Sequence, residues 1–341
     1  MSGVAVRPIV VVAAVALVAA ATGCMSGKSE DEAAVARDRP VDVRIRVPGH
    51  PFRVAAGEGY VWVLNRPPRP CTAARPCTVS RIDPRSNRVV GRPTRLPADG
   101  WELAVGFGSA WATQFDGSLI RIDARTGVID ARISARPIYF GSVVTVGGGF
   151  VWTGNDDERN ESGSVSKIDP DTNRVVGAVT GLRSPQSISF GRGAVWVADH
   201  AGWLVKIDPT TLDVVARRRL DFGAHGVVAT EDAVYVADAH ANRLLEADPK
   251  TADVRRIVDL PVGLIYPTVG AGLLWSSSAA AWTDSRDDRV IGVDPETLTI
   301  VRTLRFGGNV PAVAFGFGSV WAPVRAGWVV RASPIRQAKA A

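Results

Sequence analysis

Apolar and polar positions along this chain fall into a phrase that returns seven times. A turn leads into a short apolar strand with one aromatic residue in Gly57-Glu-Gly-Tyr-Val-Trp62, Gly106-Phe-Gly-Ser-Ala-Trp111, Gly147-Gly-Gly-Phe-Val-Trp152 and Gly191-Arg-Gly-Ala-Val-Trp196. It continues in Thr230-Glu-Asp-Ala-Val-Tyr235, Val269-Gly-Ala-Gly-Leu-Leu-Trp275 and Gly316-Phe-Gly-Ser-Val-Trp321. The copies stand about 39 to 49 residues apart, the period of propeller blades. Each period holds further strand signals. One strand runs into an aspartate turn, as in Ser80-Arg-Ile-Asp-Pro84, Ile120-Arg-Ile-Asp123, Ser166-Lys-Ile-Asp-Pro170, Val205-Lys-Ile-Asp-Pro209, Leu245-Glu-Ala-Asp-Pro249 and Ile291-Gly-Val-Asp-Pro295. Asp bonds back to the amides that follow it and Pro presets φ, so the dipeptide is a turn with a mechanism. Another strand follows, as in Arg88-Val-Val, Arg174-Val-Val and Asp213-Val-Val.

Short strands bounded by Gly and Asp-Pro turns form a meander, four to a period. The seventh copy ends at Gly327-Trp-Val-Val-Arg-Ala-Ser-Pro334 without a fourth strand, while Val41-Asp-Val-Arg-Ile-Arg-Val47 alternates like an orphan one. The prediction is an all-β fold over residues 41–334: a seven-bladed β-propeller with four-stranded blades, the last closed by the N-terminal strand. Closure removes the open sheet edge that would invite aggregation. The aromatic series is expected to pack between blades, which explains it without a cofactor.

The repeated Val-Trp-Val and Ile-Asp-Pro-x-Thr-x-x-Val phrases resemble the YVTN-type and streptogramin-lyase-like seven-bladed propellers, over Val41 to Pro334. The resemblance implies a fold. It says little of activity, since propellers with this phrase include surface proteins, enzymes and binding scaffolds.

The amino terminus carries Arg7, an apolar run from Ile9 to Ala21 and then Thr22-Gly23-Cys24. That run is shorter than the ~20 residues a membrane-spanning helix needs and reads as a signal peptide, residues 1–23. Small residues before Cys resemble the lipobox of bacterial lipoproteins, with Ala21 where Leu is usual. The resemblance implies a diacylglyceryl group on the Cys24 thiol and a lipid anchor on the outer side of the cytoplasmic membrane. An ordinary secretory cut near Ala21 is the alternative. Residues 24–40 read as a flexible tether, charged and without apolar alternation from Lys28 to Pro40, and residues 335–341 as a tail. With Cys24 lipidated, Cys71 and Cys77 form an even pair in an oxidising compartment, and a disulfide is expected. A zinc site there would need two more ligands, with His50 the single candidate.

Composition changes little. Apolar residues are 46% and charged ones 22%, which fits a globular chain with a sizeable core. The formal charge is +6, but Arg residues are scattered among Asp and Glu, and the longest basic run is Arg217-Arg218-Arg219. No basic stripe interleaved with aromatics marks a nucleic-acid surface. Neither a phosphate-binding glycine loop, a Cys-x-x-Cys nor a Gly-x-Ser-x-Gly elbow occurs.

Function has to be sought on the axial mouth. Residues three after each core aromatic are expected to begin loops there: Asn65, Gln114, Asn155, Asp199, Asp238, Ser278 and Val324. Loops before the innermost strands add His50, Trp101, Phe140, Gln186, His225, Tyr266 and Asn309. The densest ionisable group is Asp199-His200, His225 and Asp238-Ala-His240 on blades four and five. Imidazole beside carboxylate serves as a general base or a metal ligand. The same residues also fit a plainer role, with the aspartates capping turns and the histidines solvated.

The candidate rim is therefore Asn155, Asp199, His200, His225, Asp238 and His240, with no catalytic residue assigned. Streptogramin-type lyases use a His on a late blade with a nearby Glu, but no His follows His240, and Glu296 falls in a turn at the opposite end. Lactonase-type metal ligation would draw on Asn155, Asp199 and Asp238. The expectation is a monomeric, non-catalytic binding scaffold for a protein, peptide or glycan. No cofactor, resident metal or nucleic-acid partner is expected, and a metal-assisted lyase or lactonase is the alternative.

Overall fold

The computed structural model describes residues 43–67, 71–134, 139–157, 162–199, 201–221, 223–278 and 289–334. The chain divides into two units, Met1–Ala34 and Val35–Ala341. The first unit, with Cys24, lies outside the described residues, as do Val41 and Asp42.

The second unit is a seven-bladed β-propeller of four-stranded antiparallel sheets, with no helix among the described residues. Blade one is β2 (Pro51–Gly57), β3 (Tyr60–Asn65), β4 (Thr78–Asp83) and β5 (Arg88–Arg95). Blade two is β6 (Gly100–Gly106), β7 (Ser109–Gln114), β8 (Ser118–Asp123) and β9 (Ile129–Ser134). Blade three is β10 (Tyr139–Gly147), β11 (Phe150–Asp157), β12 (Ser162–Asp169) and β13 (Arg174–Leu182). Blade four is β14 (Pro185–Gly191), β15 (Ala194–Asp199), β16 (Trp203–Ile207) and β17 (Val214–Arg219). Blade five is β18 (Gly226–Ala229), β19 (Val234–Asp238), β20 (Arg243–Ala247) and β21 (Val254–Asp259). Blade six is β22 (Leu264–Gly270), β23 (Leu273–Ser278), β24 (Arg289–Val293) and β25 (Ile300–Arg305). Blade seven joins β26 (Ala314–Gly316), β27 (Ser319–Val324) and β28 (Trp328–Ala332) to β1 (Val43–Arg46). The expected closing strand is thus β1, running antiparallel to β28 from Val43 opposite Arg331 to Arg46 opposite Trp328.

The first hairpin of each blade shows how local sequence sets the geometry. Both central residues have positive φ in Glu58-Gly59, Phe107-Gly108, Arg192-Gly193, Ala271-Gly272 and Phe317-Gly318. That is the type I′ turn whose twist matches paired strands, and it explains a glycine at its second position. Blade five lacks the glycine and builds its turn otherwise: Thr230 Oγ1 accepts from the amides of Asp232 (3.3 Å) and Ala233 (3.1 Å).

Seven apolar clusters hold the ring together, each between consecutive blades. Trp62 and Leu64 meet Leu103, Ala112 and Ile120, and Trp152 and Val165 meet Ile188, Val195 and Val197. The last cluster places Trp321, Val329 and Ile45 against Val54, Val61 and Ile82, so blade seven packs on blade one. Among the described residues six tryptophans are buried completely. Each indole N–H donates to the carbonyl of the glycine five residues earlier, for example Trp111 to Gly106 and Trp321 to Gly316, both 2.9 Å. The bond removes the cost of a buried unpaired donor, about 1–3 kcal/mol.

Directly across from the core tryptophan, on the third strand of blades one, two, three, four and seven, lies a cation that joins neighbouring blades, while blade six has Gly292 there. Arg81 opposes Trp62, Arg121 opposes Trp111, Lys167 opposes Trp152, Lys206 opposes Trp196 and Arg331 opposes Trp321. Each cation lies over its ring and donates to carbonyls of the next blade's aspartate turn: Arg81 to Ala124 (2.9 Å), Lys167 to Pro209 (2.7 Å), Lys206 to Lys250 (2.8 Å). In blade five the position is Glu246, which pairs with Arg256 on β21. Arg256 then reaches Pro295 at 3.1 Å and Glu296 at 2.6 Å.

Candidate functional site

In this meander, the loops before the innermost strands and those between second and third strands share one end of the ring, the mouth. The aspartate turns share the other end, and β1 starts there.

The positions three after each core aromatic do not stand out from the mouth as loop residues; all seven are buried, six of them as the last residue of a strand and Asn155 within β11. Their polar groups fasten the mouth from within. Gln114 donates to Ala98 O at 2.7 Å and Asn65 to Ser80 Oγ at 2.9 Å. Asn155 donates to Ser164 Oγ (3.3 Å) and Ser166 Oγ (3.1 Å). Asp199 accepts from the amides of Arg183 (2.9 Å), Ser184 (3.3 Å) and Ala201 (2.9 Å), tying two loops together. Asp238 accepts from the amides of His240 (2.8 Å) and Ala241 (3.1 Å), capping its own turn.

Of the six candidate rim residues, His225, Asp238 and His240 come together. His225 Nδ1 lies 3.4 Å from Asp238 Oδ1, and the His225 and His240 rings meet edge to face at 4.6 Å. His225 is buried and His240 is exposed. Asp199 and Asn155 bond within their own blades, and His200 lies outside the described residues. Asp199 serves three backbone amides and Asp238 two, both of the latter through Oδ1.

A second constellation fills the axis. Arg53, on β2, is buried and donates through Nε to Glu102 Oε2 of blade two at 2.8 Å and through Nη1 to Pro311 O ahead of β26 at 3.4 Å. Its guanidinium also lies over the rings of Phe52 (4.1 Å), Tyr266 of blade six (4.7 Å) and Trp101 (5.5 Å). One side chain therefore ties blades one, two, six and seven. Burial works against its charge, yet the Glu102 carboxylate and the Tyr266 phenol outweigh that, and its pKa is raised. Burial pushes the Tyr266 phenol up as well, keeping it protonated. Tyr266 has φ of 51° inside a strand, at a register shift in β22, where the other non-glycine residues with positive φ occupy turns or loops. Such a conformation is costly for a bulky residue and marks a position held by its surroundings. Ile265 and Tyr266 pack on Ala239, so the histidine turn of blade five borders the axial group.

Above Arg53 the mouth is aromatic and basic. Phe52 and Trp101 meet at 5.7 Å, and Trp101 and Phe115 at 5.2 Å. The Arg66 guanidinium lies 4.9 Å from the Phe52 ring, 5.0 Å from Trp101 and 5.0 Å from Phe115, and Arg325 lies 5.8 Å from Phe52. Trp101 and Tyr266 were expected at this rim from the repeat alignment. Arg53, Glu102, Arg66, Phe115 and Arg325 were not, although Arg66, Phe115 and Arg325 share one repeat position, four after Trp62, Trp111 and Trp321.

The disulfide expected from the cysteine pair is present, joining Cys71 to Cys77 with Cα atoms 5.5 Å apart. It braces the loop after β3, where the Cys71 amide donates to Asp99 Oδ1 at 2.7 Å, ahead of Trp101.

A scan of the chain against protein-family models and a search of curated proteins find no match. The ring defines the class: a seven-bladed β-propeller, with the buried Arg53 and half-buried Glu102 paired between its first two innermost strands.

Proposed function

We propose that this protein is a lipid-anchored, extracytoplasmic binding scaffold of the YVTN-type or streptogramin-lyase-like kind, which engages its ligand at the mouth of the ring. The observation that carries this reading is Arg53, buried on blade one, bonded to the half-buried Glu102 of blade two and to Pro311 O ahead of β26, and lying against the Tyr266 ring of blade six. A group so fixed gives the loops above it a rigid floor, which suits recognition by a preformed surface. The amide bonds of Asp199 and Asp238 give both carboxylates a role in holding the mouth loops, which fits a rigid recognition face.

The anchor has separate support. Thr22-Gly23-Cys24 follows an apolar run, and the Cys71–Cys77 disulfide fits an oxidising compartment. Among the described residues the ring begins with β1, which starts at the end opposite the mouth.

Two measurements on the full chain, expressed in a bacterium, test the proposal. Detergent extraction and intact mass should give a chain beginning at Cys24 with acyl groups, and Cys24→Ser should release the protein from the membrane fraction. A cytoplasmic, uncleaved product would overturn the anchor. Cross-linking in intact cells should trap an envelope ligand that Trp101→Ala loses. Turnover of a lactone or cyclic depsipeptide that requires His225 and a divalent ion would replace the scaffold with the metal-assisted enzyme.

A further inference from the structure

Three donor atoms meet at the disulfide loop. Cys71 Sγ, Cys77 Sγ and a carboxylate oxygen of Asp99 all lie within 4.8 Å of one another, with Cys77 buried and the other two residues half-buried. Sequence spacing pointed to His50 as the single further ligand beside the cysteines. The fold brings Asp99, the residue just before β6. Hydrogen bonds as well as the S–S bond hold the group together. The Cys71 amide donates to Asp99 Oδ1 at 2.7 Å, the Leu96 amide to Cys77 O at 2.9 Å and the Gly100 amide to Cys77 Sγ at 3.4 Å. Gly100 sits where no side chain fits, since a Cβ would lie 2.7 Å from Leu64 Cδ1 and 2.9 Å from Leu96 Cδ1.

In the oxidised chain the two sulfurs share a bond and carry no charge. A thiol reductant changes that: two RSH supply two electrons and two protons, become RSSR, and leave Cys71 and Cys77 as free thiols. The Gly100 amide aimed at Cys77 Sγ favours its thiolate, as a hydrogen bond to a charged form does. Asp99 uses Oδ1 on the Cys71 amide, and no hydrogen bond to its Oδ2 is present among the described residues. Two thiolates and a carboxylate suit zinc. Mg²⁺ and Ca²⁺ take oxygen ligands, whereas Zn²⁺ accepts sulfur and oxygen together, and three protein donors leave its fourth tetrahedral position to water. Cys71 lines a cleft of about 420 Å³ through which ion and water arrive. Arg95 lines the same cleft and offsets the negative charge that the three donors keep beyond the ion's own.

We propose that Cys71, Cys77 and Asp99 form a zinc site in the reduced chain, so that one loop is braced by a disulfide under oxidising conditions and by an ion under reducing ones. The ion displaces one proton from each thiol, and both protons pass to water. The loop bears on the mouth because Asp99 also accepts the Phe115 amide at 2.9 Å through its carbonyl and stands two residues before Trp101. This inference goes beyond the reading of the mouth as a binding face and does not depend on it.

The full chain carrying Cys24→Ser, which leaves Cys71 and Cys77 as its only cysteines, provides the test. Reduced with a phosphine under argon, it should bind one Co²⁺ per chain with the sulfur-to-metal charge-transfer absorption of thiolate ligation. Zn²⁺ should displace the cobalt, and zinc binding to the reduced metal-free chain should release about two protons per ion. The oxidised chain should show none of this. Zinc-edge X-ray absorption should count two sulfurs at about 2.3 Å. Asp99→Asn keeps an acceptor for the Cys71 amide and removes the charge, and it should weaken zinc binding by at least about tenfold. Circular dichroism checks that this variant is folded; if it is not, the cobalt spectrum and the sulfur count still decide. Zinc should also raise the denaturant midpoint of the reduced chain toward that of the oxidised one. No stoichiometric binding by the reduced chain, equal binding by the oxidised chain, a sulfur count other than two, an unmoved midpoint, or unchanged affinity in folded Asp99→Asn would overturn the three-donor site.

Discussion

Arg331 Nη1 donates to the carbonyl of Pro84 at 2.7 Å, joining the last blade to the first across 247 residues of sequence. The same nitrogen reaches Asn87 Oδ1 at 3.0 Å, and the guanidinium lies 5.2 Å from the Trp321 ring. This is the cation contact repeated between other blades, placed where the ring closes.

Arg331→Met should therefore lower stability by about 2 kcal/mol, the scale of a hydrogen bond from a charged group plus a cation–π contact. Arg331→Lys should recover much of that loss, because Lys206 serves the equivalent position in blade four. Equilibrium denaturation of the three proteins measures both effects; equal midpoints for Met and Lys would show that the charge is irrelevant.

Gly270 ends the innermost strand of blade six against the ring of Phe315 in blade seven. A Cβ there would lie 1.9 Å from Phe315 Cγ. Gly270→Ala should cost about 1–3 kcal/mol through overpacking. Adding Phe315→Leu should restore part of it, and thermal melts of the single and double variants would reveal whether the clash is the cause.

Acid should unfold the ring through its turns. The Arg255 side chain, followed by the amides of Lys250 and Thr251, holds the Asp248 carboxyl down to about 2. Asp83, Asp169 and Asp208 are held below the ordinary carboxylate value first by the amides of Arg85, Asp171 and Thr210, and Asp123 by the Thr126 hydroxyl. A depressed folded-state pKa contributes stability that is complete above the unfolded value, about 3.9, and is lost as pH falls through the folded one. Melting temperature should be level above about pH 5 and fall steeply between about 4 and 2. Asp248→Asn should shallow that fall; an unchanged slope would exclude this turn as a contributor.

Reducing the Cys71–Cys77 bond should leave the ring folded. The bond closes a short loop, worth about 2 kcal/mol in the chain-entropy model. Cys77 is a buried member of an apolar cluster that packs two blades together. Far-ultraviolet circular dichroism with and without reductant should overlay at 25 °C while the denaturant midpoint falls; collapse of the spectrum would make the disulfide essential.

The sequence alone determined the ring. Blade count, strand count, the closing strand and the burial of the tryptophan series follow from periodicity, because each blade solves the same local problem and must bury the same face. The third-strand cations were also legible in principle, as the basic residue of Arg-Ile-Asp or Lys-Ile-Asp. Their role as bridges appears only when the next blade's turn is set beside them.

Tertiary structure decided the mouth. Residues three after each aromatic were expected on the rim by strand counting, yet they end inside it, since the last residue of a second strand has its side chain covered by the adjoining loops. Asp199 and Asp238 became amide acceptors for the same reason. The axial group of Arg53, Glu102 and Tyr266 draws on residues 49 and 213 positions apart from Arg53, in strands whose own repeats show no common signal. A one-dimensional pattern records what recurs. The axis gathers one residue from each of several blades, so its chemistry is written in the places where the repeats differ.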